Sequence, residues 1–482
     1  MKTLMDSLAA VSLRFPTKVA VQYEEGKIEY QELYHRIIQW ERRFRTLKIG
    51  LGDRVLLMIE DPVAFIVLWF ALWKVKAVPI PLETKIIPAE LDAAIGSSQC
   101  HFIVAAGESE LKSKLVGGEN LRAAEAGIRI FGIPDSEGKS AETTALFFYT
   151  SGTTGLPKCV IFSHQAMLEN IFSLVRAIRL DERDLLLTPL SPVLPACIAT
   201  AVLPALAVGA GLLLIKGGLP GKILHNLEES GATVFFAVPY LYELLLTTMS
   251  IRKSNSWRKV RLALTSSARL NGRLFDAFYE ATRIPLRSIY CSSESGACTY
   301  NDSPRLASLR DSVGKPLEGV EIKIAAANGR PAAPGIEGEI WVRGSHLADG
   351  YFRRDQLQRQ VFVDGWVVTG DLGRIDDGGE LFLTGRLSET INVSGYLVNP
   401  LEVERVLLEH PMVGEALVSC EPDAATGEKV VAKVVLKQRK YPVNGDDLLN
   451  FCAGRLNHYK IPREIRIVEF LEKSRYGKIK RA

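Results

Sequence analysis

Up to about residue 345, short apolar runs of strand length alternate with helix-length segments, and this alternation restricts the chain more than any other feature. The runs include "RVLLMI" (54–59), "HFIVAA" (101–106), "TALFFY" (144–149), "GLLLIK" (211–216), "TVFFAV" (233–238) and "RLALTS" (261–266). Between them lie helical stretches such as "PVAFIVLWFALWKVKA" (62–77) and "SHQAMLENIFSLVRAI" (163–178). Buried strands alternating with helices predict an α/β protein with largely parallel sheets.

The pattern changes between Val313 and Leu383, where "GVEIKIA", "GEIWVRG", "GWVVTGD" and "ELFLTG" are short runs spaced by Gly, Pro and Asp. That spacing predicts an antiparallel or barrel-like subdomain. A further unit comes after "TGRLSET". Pro400 suits the first turn of a helix through "LEVERVLLEH". Strands are expected at "EALVSC", "KVVAKVVL" and "EIRIVEF", with a helix around "DDLLNFCAGRLN". The predicted organisation is a large domain over 1–385, a hinge at 386–389 and a small α+β domain over 390–482.

Composition removes several classes of function. A formal net charge of +4 and the absence of any Lys/Arg-rich block with interleaved aromatics argue against a nucleic-acid partner. The seven cysteines show no CxxC or Cys/His spacing, so neither a disulfide framework nor a zinc site is expected, and a reducing cytoplasm fits. Asp6, Ser7 and Ser12 interrupt the N-terminal apolar residues and argue against a secretory signal. The uncharged stretch Leu185–Ile215 is long enough to span a bilayer. Pro189, Pro192, Pro195 and Pro204 break it, and it is expected to be a loop, a buried helix and a strand in a protein without a transmembrane segment.

The stretch "YTSGTTGLPKCV" (149–160) joins one strand-like run to another. Gly152 and Gly155 permit close approach of backbone N–H groups to an anion. Thr150, Ser151, Thr153 and Thr154 supply hydroxyl donors, and Lys158 supplies a point charge. Phosphate suits such a set best. The spacing is not that of the Walker loop: the lysine lies three residues past Gly155, and Cys159 stands where that loop has Ser or Thr. Composition alone is equally compatible with a Gly/Thr-rich turn between strands.

"YTSGTTGLPK" resembles the signature loop of the adenylate-forming enzymes, the superfamily of acyl- and aryl-CoA synthetases, adenylation domains and luciferases. Further segments resemble that superfamily's motifs in its order: "YCSSES" (290–295), "GEIWVRG" with "GYF" and "DGWVVTGD", "GRLSETINVSGYLVNPLEVE" and "KSRYGKIKR". The resemblance spans nearly the whole chain. It implies an α/β fold whose large N-terminal domain comprises α/β sandwich subdomains plus a small β-barrel subdomain, followed by a small mobile α+β C-terminal domain. It also implies an AMP-forming acid–thiol ligase. A carboxylate attacks the α-phosphorus of ATP to give an acyl-adenylate and pyrophosphate, and a thiol then displaces AMP.

The same resemblance implies the roles of individual residues. Lys478 would join the substrate carboxylate and the α-phosphate, and Lys158 with the loop hydroxyls would hold the β- and γ-phosphates. Glu294 would bind Mg²⁺, and Ser293 would bond the α-phosphate. Tyr290 would stack on adenine, Asp371 would accept from the ribose hydroxyls, and Arg386 would reach the ribose or phosphates. Ser266, in "TSSAR", falls on the adenine-side segment. Gly395 would line the thiol tunnel. The C-terminal domain would turn about Ser388, a position that is charged in most relatives, presenting Lys478 for one half-reaction and the "VSGY" loop for the other.

Amino-acid-activating relatives usually carry an Asp in the segment after the phosphate loop, where this chain has the uncharged "TPLSPVLPACIATA". An ammonium buried there without a partner would cost several kcal/mol. An apolar or aromatic carboxylic acid is therefore expected, with Phe235, Phe236, Ala237, Pro239 and Ser266 as pocket residues. Coenzyme A is the expected acceptor. The alternative is the phosphopantetheine arm of a carrier protein, expected as a separate chain because the sequence ends directly after "GKIKR". A non-catalytic acyl or nucleotide sensor is disfavoured, since Lys478, Glu294 and Asp371 are all present.

Overall fold

The computed structural model describes residues 3–23, 26–84, 86, 88–106, 121–125, 127–134, 136–150, 158–251, 256–326, 329–393, 396–423, 427–437, 443–473 and 479–480. The chain forms two compact units, one of Met1–Ile322 with Val342–Val368 and one of Lys323–Trp341 with Thr369–Ala482.

In the first unit the strands and helices that frame the site include β1 (Val19–Tyr23), β2 (Arg54–Met58), α1 (Pro62–Lys74), β3 (Val78–Pro81), β4 (Phe102–Ala106), β5 (Thr144–Thr150) and β6 (Lys158–Ser163). They continue with α2 (His164–Ile178), β7 (Leu185–Thr188), β8 (Gly211–Leu214), β9 (Val234–Ala237), α3 (Pro239–Ile251), β10 (Leu262–Thr265) and α4 (Gly272–Thr282). Then come β11 (Leu286–Ser292), β12 (Gly296–Tyr300) and β13 (Gly350–Tyr351). The central strands of a nine-stranded sheet follow the order β11-β10-β9-β7-β8-β1 and pair in parallel. A second sheet contains β3-β2-β4 in parallel, and a third has the order β13-β6-β5. The predicted α/β class is what the chain adopts.

Local chemistry sets the helix ends. Asp61 caps α1 by accepting from the Ala64 N–H, and Pro62 occupies the first turn, where its missing N–H costs nothing. Left-handed Lys76 follows the end of this almost wholly buried helix. Ser163 caps α2 through the Ala166 N–H. The uncharged 185–215 stretch holds the expected helical run and strand, the latter β8, and opens on a further strand, β7. The run comprises Pro195–Cys197, a π-turn at Ile198–Val202 and Leu203–Val208. The wide π-turn lies just before Pro204, whose ring would otherwise meet the preceding turn. No helix among the described residues is long and apolar enough to cross a membrane.

The second unit contains most of β14 (Trp366–Ile375), then β15 (Leu381–Arg386), β16 (Ile391–Val393), β17 (Tyr396–Val398), α5 (Pro400–Glu409), β18 (Val413–Asp423), β19 (Gly427–Leu436), α6 (Gly445–Ala453) and β20 (Glu464–Ile467). β14 and β15 are antiparallel, as the spacing of their turn residues predicts. A separate core of Ile391, Val398, Val403, Leu407, Val418, Val434, Leu448 and neighbours lies wholly downstream of residue 390. The compact-unit division nevertheless falls upstream of the expected boundary at 385. Within the unit Asn399, which caps α5, donates to the carbonyl of Thr384 on β15 at 2.8 Å.

Candidate active site

β5 and β6 form a hairpin in which Thr150 pairs with Lys158. The connecting loop is therefore strand–loop–strand, with α2 following, which is the arrangement expected of it and not that of a Walker loop. Ser151, Gly152, Thr153, Thr154 and Gly155 lie outside the described residues, as does the side chain of Thr150. Lys158 opens β6 and is half-buried, its Nζ 5.9 Å from the centre of the Tyr351 ring.

Tyr351 sits beside Lys158 because β13 pairs with β6, Tyr351 against Val160. The next residue anchors the register. Phe352 donates its N–H to the Cys159 carbonyl at 2.9 Å, and its ring packs on Phe147 at 5.1 Å. Its ring also lies 5.0 Å from the guanidinium of Arg54, a 1% exposed side chain satisfied by the carbonyls of Ser98, Gln99, Glu137 and Gly138.

From this position the Tyr351 hydroxyl donates to Oε1 of Glu294 at 2.6 Å. Glu294 stands in the tight turn between β11 and β12. The Ser292 hydroxyl accepts from the N–H groups of Glu294 and Ser295, and the Glu294 carbonyl accepts from Ala348 N–H at 2.9 Å. Gly296 completes the turn at φ +62°, and a Cβ there would come within 2.7 Å of the Asn170 side chain. Asn170, 5% exposed on α2, satisfies both backbone groups of Ala297, with Nδ2 donating at 2.8 Å and Oδ1 accepting at 3.1 Å. The helix after the Gly/Thr loop thus fixes the turn that carries Glu294. Ser293 is half-buried in that turn, and Tyr290 is 5% exposed on β11.

Tyr351 and Asn170 are the residues sequence reasoning missed. "GYF" is visible as a motif but carries no pointer to Glu294. Asn170 does leave a signal: it is a polar residue within the apolar stripe Ala166, Met167, Ile171, Leu174 and Ile178 of α2.

In the second unit Asp371 and Arg386 are register partners on β14 and β15, with a guanidinium nitrogen 3.7 Å from a carboxylate oxygen. Lys478 and Gly395 lie outside the described residues, as does the side chain of Ser388.

The residues expected to line the acid pocket lie on and after β9 and β10. Phe235 and Ala237 face the hydrophobic core: Phe235 meets Tyr242 at 5.4 Å and Trp257 at 5.2 Å. Phe236 points to the opposite face of β9, and Pro239 begins α3 outside that cluster. Strand order reverses at β7, with β8 on one side and β9 on the other. Crevices of open α/β sheets form at the carboxyl ends of strands beside such a reversal. Here those ends are Thr188 and Ala237, which lead into "PLSPVLPA" and "VPY". Ser266 follows β10, 2% exposed, with its hydroxyl 3.1 Å from the Cys291 sulfur.

Two histidines near these elements are largely withdrawn from solvent. Burial pushes His164 and His346 down to about 4. Their pKa values are depressed on folding, so the stability they contribute is complete above the ordinary value of 6.5 and is lost as pH falls from there towards 4. His346→Gln should therefore flatten the fall in melting temperature over that window, measured beside the parent protein. An unchanged pH profile would count against it.

A model of the family described as AMP-binding enzyme matches residues 8–352, and one described as AMP-binding enzyme C-terminal domain matches residues 402–478. Feruloyl-CoA synthase from an Amycolatopsis species is 28% identical, over 96% of this chain and 94% of the synthase. 2-Succinylbenzoate–CoA ligase from Bacillus cytotoxicus is 26% identical, over 100% of this chain and 98% of the ligase. Among solved structures, ATP-bound MatB from Rhodopseudomonas palustris is 25% identical, with a TM-score of 0.86 covering 99% of this chain and 97% of that one.

Proposed function

Since the chain belongs to the AMP-binding enzymes, an acid–thiol ligase chemistry is its premise, and we propose that its substrate is an apolar or aromatic carboxylic acid passed to coenzyme A. In the first half-reaction a carboxylate oxygen bonds to the α-phosphorus of ATP while the bond to the β-phosphate oxygen breaks, releasing pyrophosphate. In the second, a thiol sulfur bonds to the acyl carbon, AMP leaves and the thiol proton passes to solvent.

The difficulty of the first step is repulsion: two unit charges about 4 Å apart repel by roughly 4 kcal/mol at an effective dielectric near 20. Groups fixed in advance must offset it. The observation that best supports this reading is the tie from Lys158 on β6, through Tyr351, to Glu294. It holds a cation from the phosphate loop and a carboxylate from a distant turn on one rigid frame. Lys478 would supply the cation at the reacting carboxylate, and Asp371 with Arg386 would hold the ribose.

Mg²⁺ fits this donor set. It is a hard ion, commonly held by one or two carboxylates plus substrate phosphates. Glu294 offers such a carboxylate, and no cluster of three or more metal-ligating side chains occurs among the described residues. When bound, the ion would neutralise phosphate charge. Tyr351→Phe removes only the hydroxyl that orients Glu294. It should raise the Mg²⁺ concentration for half-maximal pyrophosphate release by roughly tenfold, as loss of an outer partner does at metal sites. An unaltered Mg²⁺ dependence would remove Tyr351 from this role.

The acid class rests on the uncharged segment after β7, now seen to be buried over much of its length. Pyrophosphate release across fatty, aryl, hydroxy and amino acids tests it. Aryl or apolar acids should be turned over, and preference for an α-amino acid would overturn the reading. Thioester formation assayed with coenzyme A and with a phosphopantetheinylated carrier decides the acceptor, the carrier being the second reading.

A further inference from the structure

We propose that Asn399 and Gly385 form a latch that favours one of the two orientations that the family resemblance implies for the half-reactions; this rests on the functional reading above and on the implied pivot at 386–389. β15 ends at Arg386, a 3₁₀ turn spans Leu387–Glu389, and α5 begins at Pro400. Thr384 and Gly385 therefore lie before the pivot and Asn399 after it.

The Asn399 side chain is 8% exposed and does two separable things. Its Oδ1 accepts from the Leu401 N–H at 3.0 Å, capping α5, the helix it travels with. Its Nδ2 donates to the Thr384 carbonyl at 2.8 Å, reaching back across the pivot. Gly385 makes the approach possible. A Cβ there would lie 2.5 Å from Asn399 Nδ2, 2.7 Å from Oδ1 and 2.8 Å from Cγ, so the amide lies against bare backbone. A turn about 386–389 that leaves β15 in its sheet carries Asn399 off the strand. The cap survives the motion and the Nδ2 bond does not. One half of the amide thus serves the helix and the other half serves the orientation.

Two substitutions test this contact, the first of them keeping the cap. Asn399→Asp keeps an acceptor for the cap but sets a carboxylate oxygen against the Thr384 carbonyl. Gly385→Ala removes no atom of Asn399 but pushes its whole amide, Oδ1 included, away from β15. In the full-length protein, acid-dependent pyrophosphate release and thioester formation from supplied acyl-adenylate are measured separately. Both variants should move the ratio of the two rates in the same direction by roughly fivefold, the population shift that one hydrogen bond supplies. Asn399→Ser, which keeps a capping oxygen without the repulsive charge, should lie between the parent and Asn399→Asp. If both half-reactions fall by the same factor, Asn399 is merely structural and the latch is overturned. A parent protein that performs neither half-reaction overturns the functional reading, and the latch with it.

Discussion

Lys478→Ala should slow acyl-adenylate formation by about a thousandfold while thioester formation from supplied acyl-adenylate stays within a few-fold of the parent rate. The magnitude comes from the repulsion between carboxylate and phosphate. Roughly 4 kcal/mol at contact distance corresponds to about three powers of ten, at 1.4 kcal/mol for each. Removing one preorganised stabilising group from comparable sites costs about 10²–10³ in rate. In the second half-reaction a thiol attacks the acyl carbon and no carboxylate approaches phosphorus, so the same cation has less to do there. Pyrophosphate release and thioester formation must be measured on one preparation. Unchanged pyrophosphate release excludes Lys478 from the mechanism, and an equal fall in both steps points to a damaged fold instead.

The parts of the molecule legible in the sequence are those whose information is local. Ser163 before an apolar-striped helix, Pro400 at a first turn and strand-length apolar runs each state their own conformation, and β2, β9, β10, α2 and α5 form where those signals place them. The Gly/Thr stretch is legible as a hairpin connection because the residues after Lys158 have strand character. Contacts that depend on which strand lies beside which are not legible. Tyr351 reaches Glu294 only because β13 pairs with β6, and Asn399 reaches Thr384 only because α5 returns to β15. No spacing rule carries such contacts. Strand β9, buried throughout, shows the same limit. A strand buried on both faces reads as a continuous apolar run, with no period to tell the core face from the crevice face.

Glu294→Gln should lower pyrophosphate release by about a hundredfold at fixed Mg²⁺ and ATP, with a melting temperature close to that of the parent. The substitution removes charge and little else. The amide oxygen of Gln can accept the Tyr351 hydroxyl as Oε1 does at 2.6 Å, and the turn's own bonds, from the N–H groups of residues 294 and 295 to Ser292 Oγ and from Ala348 N–H to the 294 carbonyl, use no carboxylate. Asn170 still clamps Ala297. A neutral amide is a poorer ligand for a hard divalent ion than a carboxylate, so the deficit should shrink as Mg²⁺ is raised. Comparison with Tyr351→Phe then separates charge from orientation. The phenylalanine variant keeps the carboxylate and should recover fully at high Mg²⁺, whereas the glutamine variant should recover in part. If Glu294→Gln matches the parent at every Mg²⁺ concentration, the carboxylate serves only the turn, and the acidic group of the site must be sought elsewhere.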